Sequence, residues 1–100
     1  MAATPTLFYR GSAATSSATL YTVPSSTSSV LTDIVVSNTS SDQQYVTITV
    51  DGVNLVPAVP VSANAVINFQ FKTVLATTKI IAGFATSASV KLHLSGVEIA

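Results

Sequence analysis

The sequence predicts an all-β fold, an antiparallel β-sandwich or jelly-roll-like barrel of about seven or eight short strands. Three observations predict it. Apolar and polar residues alternate over short segments, turn-forming residues separate these segments, and no stretch repeats its apolar residues at helical spacing. A chain of 100 residues has the length of one domain, so we expect a single β-sandwich domain over residues 1–100.

The first half of the chain contains three predicted strands, separated by loops of small and hydroxyl-bearing residues. The first strand follows Pro5, and the second stops at Pro24. The third begins at Val30 and places Val30, Ile34 and Val36 on one face, with an interruption at Thr32, while Leu31 and Val35 take the other face. The predicted strands cover residues 6–10, 19–23 and 30–37.

The second half adds further strands with the same alternation. Asp51 and Gly52 form a dipeptide typical of a tight hairpin turn. Pro57 and Pro60 confine the next segment to a sheet edge or an extended loop. In the last strand the apolar phase switches at Gly96, which predicts a bulge there. The alternating sets predict a core built from Val46, Ile48, Val50, Ile67, Phe69, Phe71, Leu92 and Leu94.

The composition excludes some partners and favours others. Only 8% of the residues are charged and the net charge is zero, whereas a typical protein has about 25% charged residues. Nucleic acid and anionic membrane surfaces both require clustered basic residues, so we expect neither as a partner. The hydrophobic fraction is 48%. A hydrophobic chain with so little charge favours association, and we expect a homo-oligomer or a subunit bound to neighbours.

The sequence offers little catalytic chemistry. Cysteine is absent, which removes thiol nucleophiles and zinc–thiolate sites. His93 is the only histidine, and we interpret it as an outward-facing strand residue rather than a member of a Ser-His-Asp triad. We therefore expect a protein that is not an enzyme, with no catalytic residues, no cofactor and no metal site. The carboxylates are scattered rather than paired for glycoside hydrolysis: Asp33, Asp42, Asp51 and Glu98.

Two binding alternatives stay open at this point. Asp42 lies near Asn38 in a polar turn and could contribute to a calcium site, although an Asx-type turn explains the same residues more simply. Tyr9, Tyr21 and Tyr45 could form a patch that faces a sugar or a partner, if the fold brought them together.

Several short motifs follow one another along nearly the whole chain. They are LYTVP at residues 20–24 with a Ser/Thr tract after it, IVVSNT at 34–39, DG at 51–52, IIAGFA at 80–85 and SGVEI at 95–99. In this order and spacing they resemble a group of small all-β virion proteins of tailed bacteriophages.

This resemblance implies a non-enzymatic structural protein of the phage particle. The leading expectation is a capsid decoration or cement protein on the outer capsid surface, bound to the major capsid protein or to other virion proteins and self-associated as a trimer or similar ring. A minor tail, collar or baseplate component is a neighbouring alternative. A carbohydrate-binding or adhesion module is an alternative of a different class.

The N-terminal segment is the candidate docking element. Residues 1–11 contain a concentrated apolar run near a terminus, and such a strand can add itself to the sheet edge of a neighbour. We therefore predict that the partner-binding residues are Leu7, Phe8, Tyr9 and Arg10.

Overall fold

A computed structural model describes residues 3–99 of the chain. These residues form eight strands and no helix, which confirms the predicted all-β fold. The strands are β1 (Ala3–Ser12), β2 (Ala18–Thr22), β3 (Ser28–Asn38), β4 (Gln44–Val50), β5 (Val53–Val61), β6 (Val66–Leu75), β7 (Ile80–Ala85) and β8 (Val90–Ile99).

The strands pair in a nested order and form two antiparallel four-stranded sheets. One sheet has the order β1-β8-β3-β6 and the other has the order β2-β7-β4-β5. The first strand pairs with the last, the second with the seventh, the third with the sixth and the fourth with the fifth. This is the topology of one long hairpin rolled into a two-layered jelly roll. The apolar faces of the two sheets enclose the core between them.

The innermost hairpin, β4–β5, carries the turn that the sequence predicts. Asp51 and Gly52 both have positive φ, at 52° and 77°, as a two-residue type I′ turn requires. Beyond the turn, Pro57 and Pro60 lie in β5, an edge strand of its sheet. An edge is the place where a sheet tolerates proline, because one side of the strand needs no backbone donors. Both predictions for this segment are confirmed.

The irregular positions of the first sheet differ from the prediction. The pairing of β8 with β3 shifts at Thr32, and the pairing of β8 with β1 shifts at Phe8. The extra residues therefore lie in the two strands that flank β8. The prediction of a bulge at Gly96 is wrong, because buried and half-buried residues of β8 continue to alternate through Gly96. The bulge at Thr32 also explains the interrupted pattern of β3: Leu31 points inward before it, and Ile34 points inward after it. The prediction that Val30 shares the face of Ile34 is therefore wrong, because the bulge reverses the faces between them.

The core contains all eight residues predicted for it, but at two depths. Four are fully buried, namely Val46, Ile48, Leu92 and Leu94. The other four are partly buried and pack against that cluster, namely Val50, Ile67, Phe69 and Phe71. Three of these belong to β6, which is an edge strand and has a neighbouring strand on one side only. Alternation predicts which face a residue occupies, but it does not predict how far from the sheet centre the strand lies.

Two buried polar residues fasten β3 to the opposite sheet, one near each end of the strand. Ser29 is fully buried, and its hydroxyl bonds the Tyr21 hydroxyl of β2 at 2.8 Å. Tyr21 in turn donates to the Glu98 carboxylate and stacks on Phe8, with ring centroids 4.0 Å apart. At the other end, the Asn38 amide donates to the carbonyl of Val61 in β5. Both ends of β3 are therefore held by hydrogen bonds between the layers.

The Tyr21 contact predicts a loss of stability in alkali. Burial, reinforced by the hydrogen bond to Glu98, raises the pKa of Tyr21 to about 12 from the usual 10. Between these two pH values the unfolded chain releases the phenol proton while the folded protein still holds it. The stabilisation is therefore complete below pH 10 and is lost as the pH rises toward 12.

Urea unfolding at a series of pH values checks this expectation against Tyr21→Phe. The variant should be less stable than the parent at pH 8, by about 1–2 kcal/mol, because it lacks the hydroxyl bonds. Its free energy of unfolding should then fall less steeply than that of the parent between pH 10 and 12. If the free energies of unfolding of parent and variant fall in parallel over that range, Tyr21 has the same pKa in the folded and unfolded states.

Candidate functional site

The four residues predicted to bind a partner lie in β1, at the edge of the first sheet, but they face different ways. Phe8 is buried and its ring stacks on Tyr21, so this side chain belongs to the interior. Tyr9 is partly buried, and its hydroxyl donates to the Ser12 carbonyl. Leu7 is 50% exposed, and Arg10 is exposed. The outward part of the predicted set is therefore Leu7 and Arg10. Strand β1 itself pairs with β8 from Ala3 to Ser12.

The outer face of the same sheet carries a row of apolar side chains that crosses all four strands. Pro5 pairs with Val97, Val97 with Val30, and Val30 with Val74. We call these four residues the outward row. Their direction follows from their sequence neighbours: Ser29 and Leu75 are buried and point into the sandwich, so Val30 and Val74 point away from it.

The outward row is exposed enough to meet another molecule. Val74 is 72% exposed, and Pro5 is also exposed. Val30 and Val97, in the two central strands, are half-buried by their neighbours in the row. Leu7 extends the row by one position along β1. Since adjacent strands lie about 4.8 Å apart, the row spans about 14 Å across the sheet. Contiguous apolar surface of this kind marks sites of protein contact.

An open depression adjoins the outward row at the level of the two bulges. Its floor is β8 around Ser95 and Val97, and its walls are Leu7 and Arg10 on one side and Asp33 on the other. Thr32, the extra residue of the bulge, donates to the Ser95 carbonyl at 3.2 Å. The depression thus combines an apolar end with one basic and one acidic side chain, a mixture that suits a polar ligand with an apolar face.

His93 has a structural partner in this region. Its Nδ1 accepts a hydrogen bond from Arg10 Nε at 3.1 Å, across the β1–β8 pairing. The side chain is half-buried on the outer face of the sheet, in the outward direction that the sequence predicts. The pairing positions Arg10 beside the depression.

The other candidate groups are spread over the molecule. Tyr9 and Tyr21 pack against the core of the sandwich, whereas Tyr45 is 43% exposed on β4 of the other sheet, so the fold does not bring the three tyrosines together. Asp51 forms an exposed ion pair with Lys79, with 3.7 Å between Nζ and Oδ1. Within residues 3–99, no three His, Asp or Glu side chains converge to hold a metal ion.

The polar turn near Asp42 is an Asx-type turn built on Asn38. The Asn38 Oδ1 accepts from the Ser40 backbone amide at 2.9 Å, and its Nδ2 donates to the Asp42 carbonyl at 2.8 Å. The backbone of this turn is therefore organised by a buried amide side chain. Of the two alternatives, the Asx-type turn is the one that the structure contains.

Sequence reasoning missed the outward row. The available signal was a set of apolar residues out of phase with the core, namely Val30, Val74 and Val97. Each is flanked by a residue that points inward. The sequence pattern predicts a bulge beside Val97 and places Val30 on the face of Ile34 and Val36, and it makes no prediction for Val74. A second apolar face was the alternative explanation of the same residues.

No protein-family model matches the sequence. No curated protein matches it either. Within the described residues, the structure contains no helix long and apolar enough to cross a membrane.

Proposed function

We propose that this protein is a non-enzymatic structural subunit of a tailed-bacteriophage particle, a capsid decoration protein that binds the major capsid lattice at the outer surface. The observation that carries the proposal is the outward row, which places four apolar side chains next to one another across the outer face of one sheet. The resemblance of the LYTVP and SGVEI motifs to small virion proteins is the reason for proposing a phage particle as the assembly that this protein joins. The jelly roll is a fold used by viral capsid proteins, and it supports the proposal only as an analogy.

The charge distribution favours attachment through apolar burial. The chain has four basic and four acidic residues in all. Of these, Lys79 and Asp51 already pair with each other, and Arg10 already bonds His93. Burial of apolar surface contributes about 25 cal/mol per Å², and it does not weaken with salt as ion pairs do. Attachment should therefore survive high salt and weaken in urea or guanidinium.

Leu7→Asp tests the docking face. Leu7 is half-exposed beside the outward row, so the substitution should leave the fold intact while placing a charge in the apolar contact. We expect affinity for purified particles that lack this protein to fall at least about tenfold, which corresponds to about 1.4 kcal/mol. Co-sedimentation at 0.1 M and 1 M NaCl measures both the loss and the salt response.

Val53→Asp is the matched control for that experiment. Val53 is 69% exposed on β5, in the opposite sheet, and the substitution introduces the same charge. It should bind like the parent protein. Equal binding by both variants would exclude the outward row as the docking face. Release of the parent by 1 M NaCl would exclude apolar attachment.

A tail, collar or baseplate position is a second candidate within the same class. The outward row could bind any large flat protein surface, so it does not distinguish the capsid from the tail. The number of copies of this protein per particle does distinguish them. Hundreds of copies per particle, measured on a stained gel of purified virions, indicate decoration of the capsid. A few dozen copies or fewer indicate the tail.

The depression beside the outward row supports a carbohydrate-binding module as the candidate from another class. Arg10 and Asp33 provide polar contacts next to the apolar side chains of Leu7 and Val97, and sugars present hydroxyls beside an apolar face. A glycan array probed with the isolated protein tests this alternative. Binding that is abolished by Asp33→Ala, with attachment to particles unchanged, would favour it.

A further inference from the structure

Strand β6 is the least protected edge in the described part of the fold. Each sheet has two edge strands, and three of the four contain proline or are very short, which discourages further pairing. Pro5 lies in β1, Pro57 and Pro60 lie in β5, and β2 has only five residues. In contrast, β6 has ten residues and no proline, and it pairs with β3 on one side alone. Its protection is limited to one charged residue, Lys72, and one irregular step beside it. Its other side presents unpaired backbone groups.

The sequence of β6 is nearly palindromic about Gln70. Residues 66–74 read V-I-N-F-Q-F-K-T-V. The residues at equal distances from the centre are Phe69 and Phe71, then Asn68 and Lys72, then Ile67 and Thr73, and finally Val66 and Val74. Two copies of this strand can pair antiparallel about a two-fold axis at Gln70. Because the two chains run in opposite directions, Phe69 of one copy then lies opposite Phe71 of the other, and the remaining pairs follow in the same way.

The exposure of the side chains agrees with such a pairing. Val66 and Val74 are 65% and 72% exposed on the outer face of β6. The two-fold axis places Val66 of one copy opposite Val74 of the other copy. Apolar side chains directly across an antiparallel pair stabilise it by about 0.2–1 kcal/mol. Phe69 and Phe71 already lie on the inner face with ring centroids 6.0 Å apart. The pairing adds an aromatic neighbour to each of them.

The charges on β6 also permit the contact. Lys72 is the only charged residue of the strand, and the two-fold axis places it opposite Asn68 rather than opposite itself. Asp33 lies on the same face, where it pairs with Gln70 in the adjacent strand β3. The carboxylate nearest to each Lys72 is therefore Asp33 of its own copy, and no two like charges lie directly opposite each other in the contact.

We propose that β6 pairs antiparallel with β6 of a second copy of this chain, about a two-fold axis at Gln70. The two four-stranded sheets then form one continuous eight-stranded sheet. The backbone of β6 is regular from Val66 to Gln70, and its one irregular step lies at Phe71 and Lys72. A contact of one strand pair about 30 Å long is small for a protein interface, so we expect a dissociation constant of about 1–100 µM.

This inference gives a specific two-fold contact to the homo-oligomer that the composition predicts, and it rests on β6 alone. Leu7→Asp lies on β1, at the opposite edge of the sheet, and should leave the dimer intact. Failure of the dimer therefore does not affect docking through the outward row, and failure of docking does not affect the dimer.

A single introduced cysteine tests the pairing and its register. The chain has no cysteine of its own, so Gln70→Cys provides the only thiol. In the proposed dimer the two copies of residue 70 face each other, with Cα atoms about 4.5–5.5 Å apart, which is within disulfide reach. Treatment with copper phenanthroline at about 100 µM protein should convert most of the variant to a covalent dimer on a non-reducing gel.

Asn68→Cys is the matched control on the same face of the same strand. Its two copies are offset by four residues, about 13 Å along the strands, which is beyond disulfide reach. It should give little covalent dimer under the same conditions. Sedimentation of the parent should show a monomer–dimer equilibrium, and Gln70→Lys should shift it at least about tenfold toward monomer, because it places two positive charges across the axis.

Three outcomes would overturn the proposal. One is equal or stronger cross-linking at residue 68 than at residue 70. Another is a parent protein that stays monomeric at millimolar concentration. The third is a closed trimer or larger ring, since a two-fold strand pairing produces a dimer. A thermal melt of each variant confirms that it is folded before the comparison is made.

Discussion

Replacing Gly96 with alanine is expected to lower the free energy of unfolding by about 3–4 kcal/mol. Gly96 is buried in β8, between the two bulged strands. A Cβ at this position would overlap the carbonyl oxygen of Val30 and lie 2.8 Å from two ring atoms of Phe8. The carbonyl belongs to the paired strand β3, so it cannot turn away as a flexible side chain would. The central strands must separate to admit the methyl group.

Urea unfolding at neutral pH measures this effect, with Ser95→Ala as the control. Ser95 precedes Gly96 on the same strand and points to the outer face, so its substitution should change stability by less than about 0.5 kcal/mol. A cost below about 1 kcal/mol for Gly96→Ala would mean that β3 and β8 can move apart easily. In that case the close approach at Gly96 is not what sets the positions of Phe8 and Thr32.

Replacing Asn38 with alanine should cost about 3 kcal/mol, the second largest effect that we expect. The side chain is 2% exposed. Its Nδ2 donates to the carbonyl oxygens of Asp42, Val61 and Ser62, at 2.8, 3.0 and 3.3 Å. Alanine leaves these carbonyls without that donor, and a buried polar group without a partner costs about 1–3 kcal/mol. It also releases one end of β3 from the opposite sheet.

Asn38→Asp separates hydrogen bonding from packing at the same site. The aspartate has nearly the shape of asparagine, but at neutral pH it presents a carboxylate to three carbonyl oxygens. It should be less stable than Asn38→Ala at pH 7, and it should recover part of the difference at pH 4, where protonation restores a donor. Asn54→Ala, exposed on β5, is the neutral control. An Asp variant as stable as the parent at pH 7 would contradict the proposed role of the amide.

The sequence predicted the parts of the fold that depend on local chemistry. The turn at Asp51 and Gly52 could be predicted because few residue pairs accept two positive φ angles. The edge position of Pro57 and Pro60 followed from the missing backbone donors. The fully buried part of the core, around Ile48 and Leu92, followed from alternation with polar neighbours. Each of these features is decided by a residue and its immediate neighbours.

The remaining features depend on contacts between distant strands. The bulges at Phe8 and Thr32 have no turn residue that marks them; they surround Gly96, whose narrow site is visible only when three strands are side by side. The outward row was missed for a related reason. An apolar residue on the outer face, such as Val97, produces the same sequence pattern as a change of register in a strand with one apolar face.

The nested strand order has a consequence for how the protein folds. Only β4 and β5 can pair through a short turn, while β1 must find β8 across nearly the whole chain. Loop closure favours the short connection, so we expect the central hairpin to form early and the β1–β8 pair to close last, in a slow reaction typical of high contact order. The outward row takes one residue from each of β1, β8, β3 and β6. It is therefore complete only when the last pair has closed, so that an unfinished subunit lacks the surface by which a finished one would attach.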